Sequence, residues 1–323
     1  MGEEGLIHAV VLNGEGGARE LDWAGVRGWT PEKGPLWVHL DYSSEASRNW
    51  LESESNVGAL VAEALLSEET RPRTTLIGDA VLLSLRGVNL NPGAEPEDMV
   101  SIRMCVTGHR IISTRRRTLL SVRDIVESLK AGTGPKTTGE FLVDFTSRIT
   151  SRMEEVVEAL EDRVAGLEEN VILSASQVLR HELSSVRREI IMVHRYLAPQ
   201  REAMTKLHSI QAPWLNETCR MHLREVTDQV MRYVEDLDSI RDRASVTQEE
   251  LVNRLSEQLN SRMYVLSMVA ALFMPLGFFT GLLGTNVGGI PGSQNQWGFT
   301  VFVAILLVVS ALQLYFFRRK KWL

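Results

Sequence analysis

The chain has 323 residues, of which 24% are charged and 44% hydrophobic, and a formal net charge of −6. That balance excludes a protein held to nucleic acid by bulk positive charge, and its two cysteines, Cys105 and Cys219, are too few for a disulfide framework and fit a reducing compartment. The averages conceal a division: charges run through residues 1–262, while membrane-grade hydrophobicity is confined to residues 263–323.

The opening MGEEGLIHAVVLN has no basic segment ahead of an apolar core, and Leu6 stands where a myristoylation signal needs Ser or Thr. The amino terminus is therefore expected to be cytoplasmic and unprocessed. Runs with strand character occupy residues 6–12, 36–40, 75–88, 99–108 and 110–113, with helical stretches at 46–52 and 57–66 between them. Residues 1–135 read as a cytoplasmic α/β domain of mixed topology. Arg115, Arg116 and Arg117 read as a solvated turn or helix approach in an acidic chain. GTGPKTTG at 132–139 fails as a phosphate-binding loop, because Pro135 precedes Lys136 where Gly is needed and Lys130 takes the place of the other Gly. It reads as a linker, and no paired nucleophile and base marks the chain as an enzyme.

Helical periodicity over residues 139–170 and 174–208 predicts an antiparallel hairpin, placed at 136–212. After Pro213 no proline appears until Pro275 and no glycine until Gly277. One helix is expected from about residue 214 through the first apolar span, on the order of 100 Å long, with residues 213–262 as its cytoplasmic stalk. Alternating steps of three and four along it select Glu235, Ser239, Asp242, Val246, Glu249, Asn253, Ser256, Asn260, Met263, Ser267, Ala270, Met274, Gly277, Gly281 and Gly284. The spacing is that of a coiled-coil seam, yet the residues are acidic, amidic or small where Leu and Ile belong. Several copies around an axis would each contribute this stripe to a watery lumen, with Glu235, Asp242 and Glu249 forming rings that concentrate cations. Two alternatives stand beside that reading. Arg232, Arg241, Arg243 and Arg254 lie among the acids and would pair with them on the helix surface, and the small residues would serve as close-packing contacts between membrane helices.

Residues 263–283 and 297–317 contain no charged side chain, and a run of about 20 residues matches a hydrocarbon core roughly 30 Å thick. Two such runs in tandem with interfacial aromatics read as transmembrane helices rather than a buried soluble core. Arg262 precedes the first span, and Arg318, Arg319, Lys320 and Lys321 in the tail 318–323 come after the second, while residues 284–296 between them carry no basic group. Both ends are thus expected to face the cytoplasm, leaving a short external loop. In that loop Gly284, Gly288 and Gly289 release the backbone from helical geometry, so that carbonyl oxygens and the Asn286 amide would form a ring of oxygen dipoles.

Gly284-Thr285-Asn286, preceded by Phe273-Met274-Pro275-Leu276 and ending in Lys320-Lys321-Trp322-Leu323, resembles the CorA-type divalent-cation transporters, whose signature at this place is Gly-Met-Asn. Thr for Met, with VGGIPG next at 287–292, is similar to the zinc-associated ZntB branch. The resemblance implies an α+β membrane protein of the bacterial inner membrane: a funnel-shaped homopentamer with a mixed α/β cytoplasmic domain, a helical hairpin and a long stalk helix entering the first of two transmembrane helices. It further implies a selectivity ring at Gly284, Thr285 and Asn286, and pore positions at Asn260, Met263, Leu266, Met274 and Gly277. Gly277 replaces a Thr frequent in the magnesium branch, and residues 287–296 lack the acids that magnesium-type relatives carry there. Proton-coupled zinc uptake is the implied activity, with magnesium or cobalt conduction and zinc efflux as alternatives. Its partners would be copies of itself, the lipid bilayer and divalent cations, with no nucleic acid and no resident cofactor.

Zn²⁺ prefers Cys, His and carboxylate in a tetrahedral shell, whereas Mg²⁺ keeps its waters. The spans offer none of these ligands, so the ion is expected to pass with much of its water, and Met263 and Met274 read as hydrophobic constrictions rather than thioether ligands. A soluble metal site is sketched by Glu217, Cys219 and His222 near the start of the stalk. The remaining histidines, His8, His39, His109, His181, His194 and His208, show no ligand spacing. A membrane-anchored sensor or scaffold is the competing reading, but an anchor has no use for a polar stripe that runs into the bilayer.

Overall fold

A computed structural model describes residues 5–68, 71–174, 176–285, 290 and 295–320. The chain divides into two compact units, Met1–Glu249 and Glu250–Leu323.

The first unit is built on a seven-stranded mixed sheet in the order β2-β1-β3-β7-β6-β5-β4. The strands are β1 (Leu6–Leu12), β2 (Ala18–Glu20), β3 (Leu36–Asp41), β4 (Arg73–Ile77), β5 (Ala80–Gly87), β6 (Val100–Val106) and β7 (Arg110–Arg115). β3 and β7 run parallel, whereas the other neighbours are antiparallel. Leu36 to Leu40 are buried without alternation, as expected of a central strand covered on both faces. One face packs Val38, Leu40, Leu82 and Ile112 against Leu51 and Leu65, the last from α3 (Ala59–Leu66). A short helix, α1 (Trp23–Arg27), succeeds β2, and α2 (Glu45–Asn49) runs into a π turn at Trp50–Glu54.

The expected single strand at 75–88 is a hairpin instead. β4 and β5 meet through Ile77↔Ala80, and the two residues between them turn the chain with Gly78 at φ +62°, a conformation side chains other than hydrogen resist. Sequence periodicity alone also passed over β2, α1 and α4 (Leu120–Lys130), although α4 buries Val122, Ile125 and Leu129 at helical spacing.

The helical layer consists of α5 (Thr138–Leu173) and α6 (Gln177–His208), and then α7 (Glu217–Leu283). The glycine-rich 132–139 segment ends as the cap of α5: Thr137 Oγ1 accepts from Glu140 N at 3.1 Å, and Glu140 Oε2 accepts from Lys136 N at 2.8 Å. Phe141 on α5 packs on Trp37 of β3 with ring centroids 4.8 Å apart, while α6 accepts the Thr74 hydroxyl at Ala203 O and the Arg86 amide at Gln200 Oε1. The turn before α7 is tied to the β4–β5 hairpin by Trp214 Nε1 donating to Asp79 O at 2.8 Å.

The second unit holds the C-terminal part of α7 and all of α8 (Gly298–Arg319). Both contain membrane-length apolar stretches in which no described residue is buried within the chain. A core helix of a soluble protein would be buried, so a nonpolar phase or further subunits must cover these surfaces.

Candidate functional site

Within the first unit α7 has two unlike faces. Leu223, Val226, Val230, Val234, Leu237, Ile240 and Ala244 are buried in steps of three and four. Arg243 reaches across to α5, donating from Nη2 to Glu168 Oε2 at 2.8 Å and from Nη1 to Glu161 Oε1 at 3.2 Å, and this fork holds the Glu168 carboxyl below the usual carboxylate range. Glu235, Ser239, Asp242, Val246 and Glu249 lie on exposed positions. Two of the four arginines that the sequence intersperses among them are diverted: Arg243 to α5, and Arg254 to Glu250 at 2.5 Å. Asp242 keeps its neighbour Arg241 at 3.1 Å, which also binds Asp238 at 3.0 Å. Among the described residues Glu235 and Glu249 make no ion pair. The helix-surface pairing therefore takes one of the three stripe acids and leaves two.

In the second unit, Asn260, Met263, Leu266, Ser267, Ala270, Met274, Gly277, Gly281, Gly284 and Thr285 are all exposed within the chain, Met274 at 72% and Met263 at 61%. A Cβ placed on Gly277 or Gly281 would meet nothing within 4 Å, so among the described residues no contact requires them to be small. Gly284 differs. Its N–H donates to Thr280 O at 2.9 Å, and a Cβ there would stand 2.6 Å from that same carbonyl oxygen. The helix end is completed by Thr285 Oγ1 donating to Leu282 O at 3.1 Å. Asn286, expected as the selectivity amide, lies outside the described residues, as does Lys321 in the tail.

The soluble metal site does not assemble. Cys219 is buried, with a free thiol whose pKa burial pushes up. It packs by Gly139, and its amide donates to Asn216 Oδ1, the side chain opening α7. Glu217 pairs with Arg220, and His222 stands exposed. Among the described residues no three His, Cys, Asp or Glu side chains gather to hold a metal. The two scattered histidines nearest the sheet core join one network instead: His39 Nδ1 lies 2.8 Å from Ser113 Oγ, which also accepts from Trp37 Nε1 at 2.9 Å, and His8 stacks alongside at 6.1 Å. Burial drives the pKa of His39 well below 6.5, so at neutral pH it is an uncharged packing group.

Comparison with known proteins agrees with this architecture. Residues 32–319 match the model of the CorA-like Mg2+ transporter proteins. The chain is 34% identical over 317 residues to the zinc transport protein ZntB of Yersinia pseudotuberculosis, covering 98% of this chain and 96% of that one. It is 38% identical over 325 residues to the divalent cation transporter CmaX of Pseudomonas aeruginosa, covering 99% and 98% respectively. The solved structure of full-length CmaX matches with a TM-score of 0.87 at 37% identity, over 100% of this chain and 99% of that one.

Proposed function

The chain belongs to the CorA-like Mg2+ transporter proteins, and we propose that it carries divalent cations, zinc foremost, through a central path enclosed by five identical subunits in an inner membrane. As a transporter it is not an enzyme. The observation that best supports the path is the exposed polar edge of α7, where Glu235 and Glu249 keep their charge unpaired among the described residues. Repeated about an axis, those carboxylates would raise the local cation concentration. Gly277 and Gly281, which no contact among the described residues needs, fit either a lumen or close approach between subunits.

Zinc is favoured by similarity to ZntB, with magnesium and cobalt as the competing ions. Both spans lack Cys, His, Asp and Glu, so the cargo crosses largely hydrated and is sorted by oxygen dipoles at Gly284, Thr285 and Asn286. Between residues 263 and 317 the tyrosines Tyr264 and Tyr315 are the titratable side chains. Proton coupling therefore resides at the cytoplasmic acids, and the direction is inward with both chain ends in the cytoplasm. Flux into proteoliposomes under imposed proton gradients tests the reading. Zinc uptake is expected to exceed that of magnesium and cobalt, to accelerate when the lumen is made alkaline, and to fall about tenfold or more in Asn286→Ala. Equal zinc uptake by empty and protein-containing vesicles would refute it in favour of a membrane anchor.

A further inference from the structure

The Arg115–Arg117 run has no part in an ion path, yet the fold builds something from it. Arg116 and Arg117 line a cavity of about 450 Å³ together with Tyr42, Glu68, Arg86, Val100 and Ser101. Arg86 and Ser101 are register partners on β5 and β6, and Arg103, two residues beyond Ser101, projects from the same face of the sheet. Arg103 is 1% exposed. Its guanidinium lies 4.6 Å over the Tyr42 ring, and its Nη2 donates to Glu68 O at 2.8 Å, so both contacts are to residues that line the cavity.

Among the described residues Arg103 has no ion-pair contact: the Glu68 carboxylate acts on it through its charge without touching it. Its buried Nε and Nη1 have no hydrogen-bond partner among those residues. An arginine stays protonated at neutral pH, and a buried cation without a counter-charge is costly to fold around. Apart from Glu68, the charges around it are engaged with one another. Arg117 forks onto Asp98, consuming that carboxylate, while Arg86 is occupied by Met99 O at 3.0 Å and by the Tyr196 ring of α6 at 4.0 Å. Arg116 is exposed, and neither its guanidinium nor the Ser101 hydroxyl has a hydrogen bond or ion pair among the described residues. Among the described residues that line the cavity, Arg86, Arg116 and Arg117 stand against one carboxylate, Glu68, while Arg117 holds Asp98. Guanidinium groups are donors only, and their planar forks match the oxygen spacing of phosphate.

We propose that this cavity binds a small phosphate-class oxyanion of at least two negative charges, held by Arg116 and the Ser101 hydroxyl on the sheet face from which Arg103 also projects. Such a ligand would add negative charge where, among the described residues, arginines outnumber acids. The site rests on the first unit alone, so it stands or falls independently of the transport reading.

The test is calorimetric titration of the full-length protein in detergent, in metal-free buffer, with pyrophosphate, inorganic phosphate and ATP. Pyrophosphate is expected to bind once per chain and to raise the melting temperature. Arg116→Gln, at an exposed position, is expected to weaken it at least about tenfold, and Ser101→Asp, which adds a carboxylate, to abolish it. Tighter binding of ATP than of pyrophosphate assigns the phosphate to a nucleotide, and equal or weaker binding assigns it to the inorganic pool. Absence of binding up to about 10 mM, heats equal to those of chloride at matched ionic strength, or affinity unchanged in Arg116→Gln would overturn the proposal. The melting temperature of each variant without ligand separates lost binding from lost fold.

Discussion

Two single residues show how differently the same amino acid is used along α7. Gly284 closes the helix so tightly that any Cβ strikes the Thr280 carbonyl, whereas Gly277 faces open space within the chain. Gly284→Ala is therefore expected to displace the helix end and depress zinc flux, while Gly277→Ala leaves the melting temperature of the solubilised protein within about 1 °C. His39 makes a second prediction at this scale. Its folded pKa lies well below the unfolded 6.5 because burial penalises the imidazolium, so below pH 6.5 the unfolded chain binds the proton that the folded chain refuses. Stability is then full above that pH and declines progressively as pH falls beneath it. Denaturation monitored between pH 7.5 and 5 is expected to show the decline, and His39→Gln to flatten it. At residue level the sequence was partly legible: Gly284 stood out by its place after an apolar run, but the stacking of His8, Trp37 and His39 depends on strand register, which spacing along the chain does not contain.

At the scale of elements, α7 carries the clearest lesson. Its polar edge is legible from steps of three and four, and so is the burying face once α5 is known to stand beside it. Reading Glu235, Asp242 and Glu249 alone leaves their pairing open, because a cation's partner can lie about 75 residues away: Arg243 answers to Glu168 and not to its neighbours on the same helix. The two faces should respond oppositely to truncation. Leu237→Ala, at a position with no exposed surface, is expected to cost about 2–4 kcal/mol, and Ser239→Ala, two residues on and exposed, less than about 0.5 kcal/mol. Arg243→Ala is expected to cost up to about 1 kcal/mol, since its pairs are partly solvated. Thermal unfolding of the three variants in one detergent ranks them. Besides passing over the short β2 and α1, periodicity merged the β4–β5 hairpin and missed α4. A two-residue turn is too short to interrupt an apolar run, and in α4 the buried Ser121 dilutes the stripe that a periodicity reading relies on.

For the whole molecule, the proposed path needs other copies to enclose it, with the exposed polar edge inside and lipid against the exposed spans. Five subunits are expected, and light scattering of the solubilised protein should give a mass five times the 36.2 kDa of the chain. Cysteines placed at 267, 270 and 277 are expected to react with water-borne reagents in that assembly. A monomer, or sites sealed in every state, would remove the enclosed path. Subunit number was never legible from residue spacing, because the contacts that set it belong to no single chain.

Neither apolar span carries a formal charge between residues 263 and 317. The electric potential across a bilayer thus finds no lever on these helices, whereas a doubly charged cargo falling through it gains about 4.6 kcal/mol per 100 mV. Voltage is accordingly a motor for the ion and not a switch for the protein, so single-channel or flux records should steepen with potential only as far as the ion's own passage dictates.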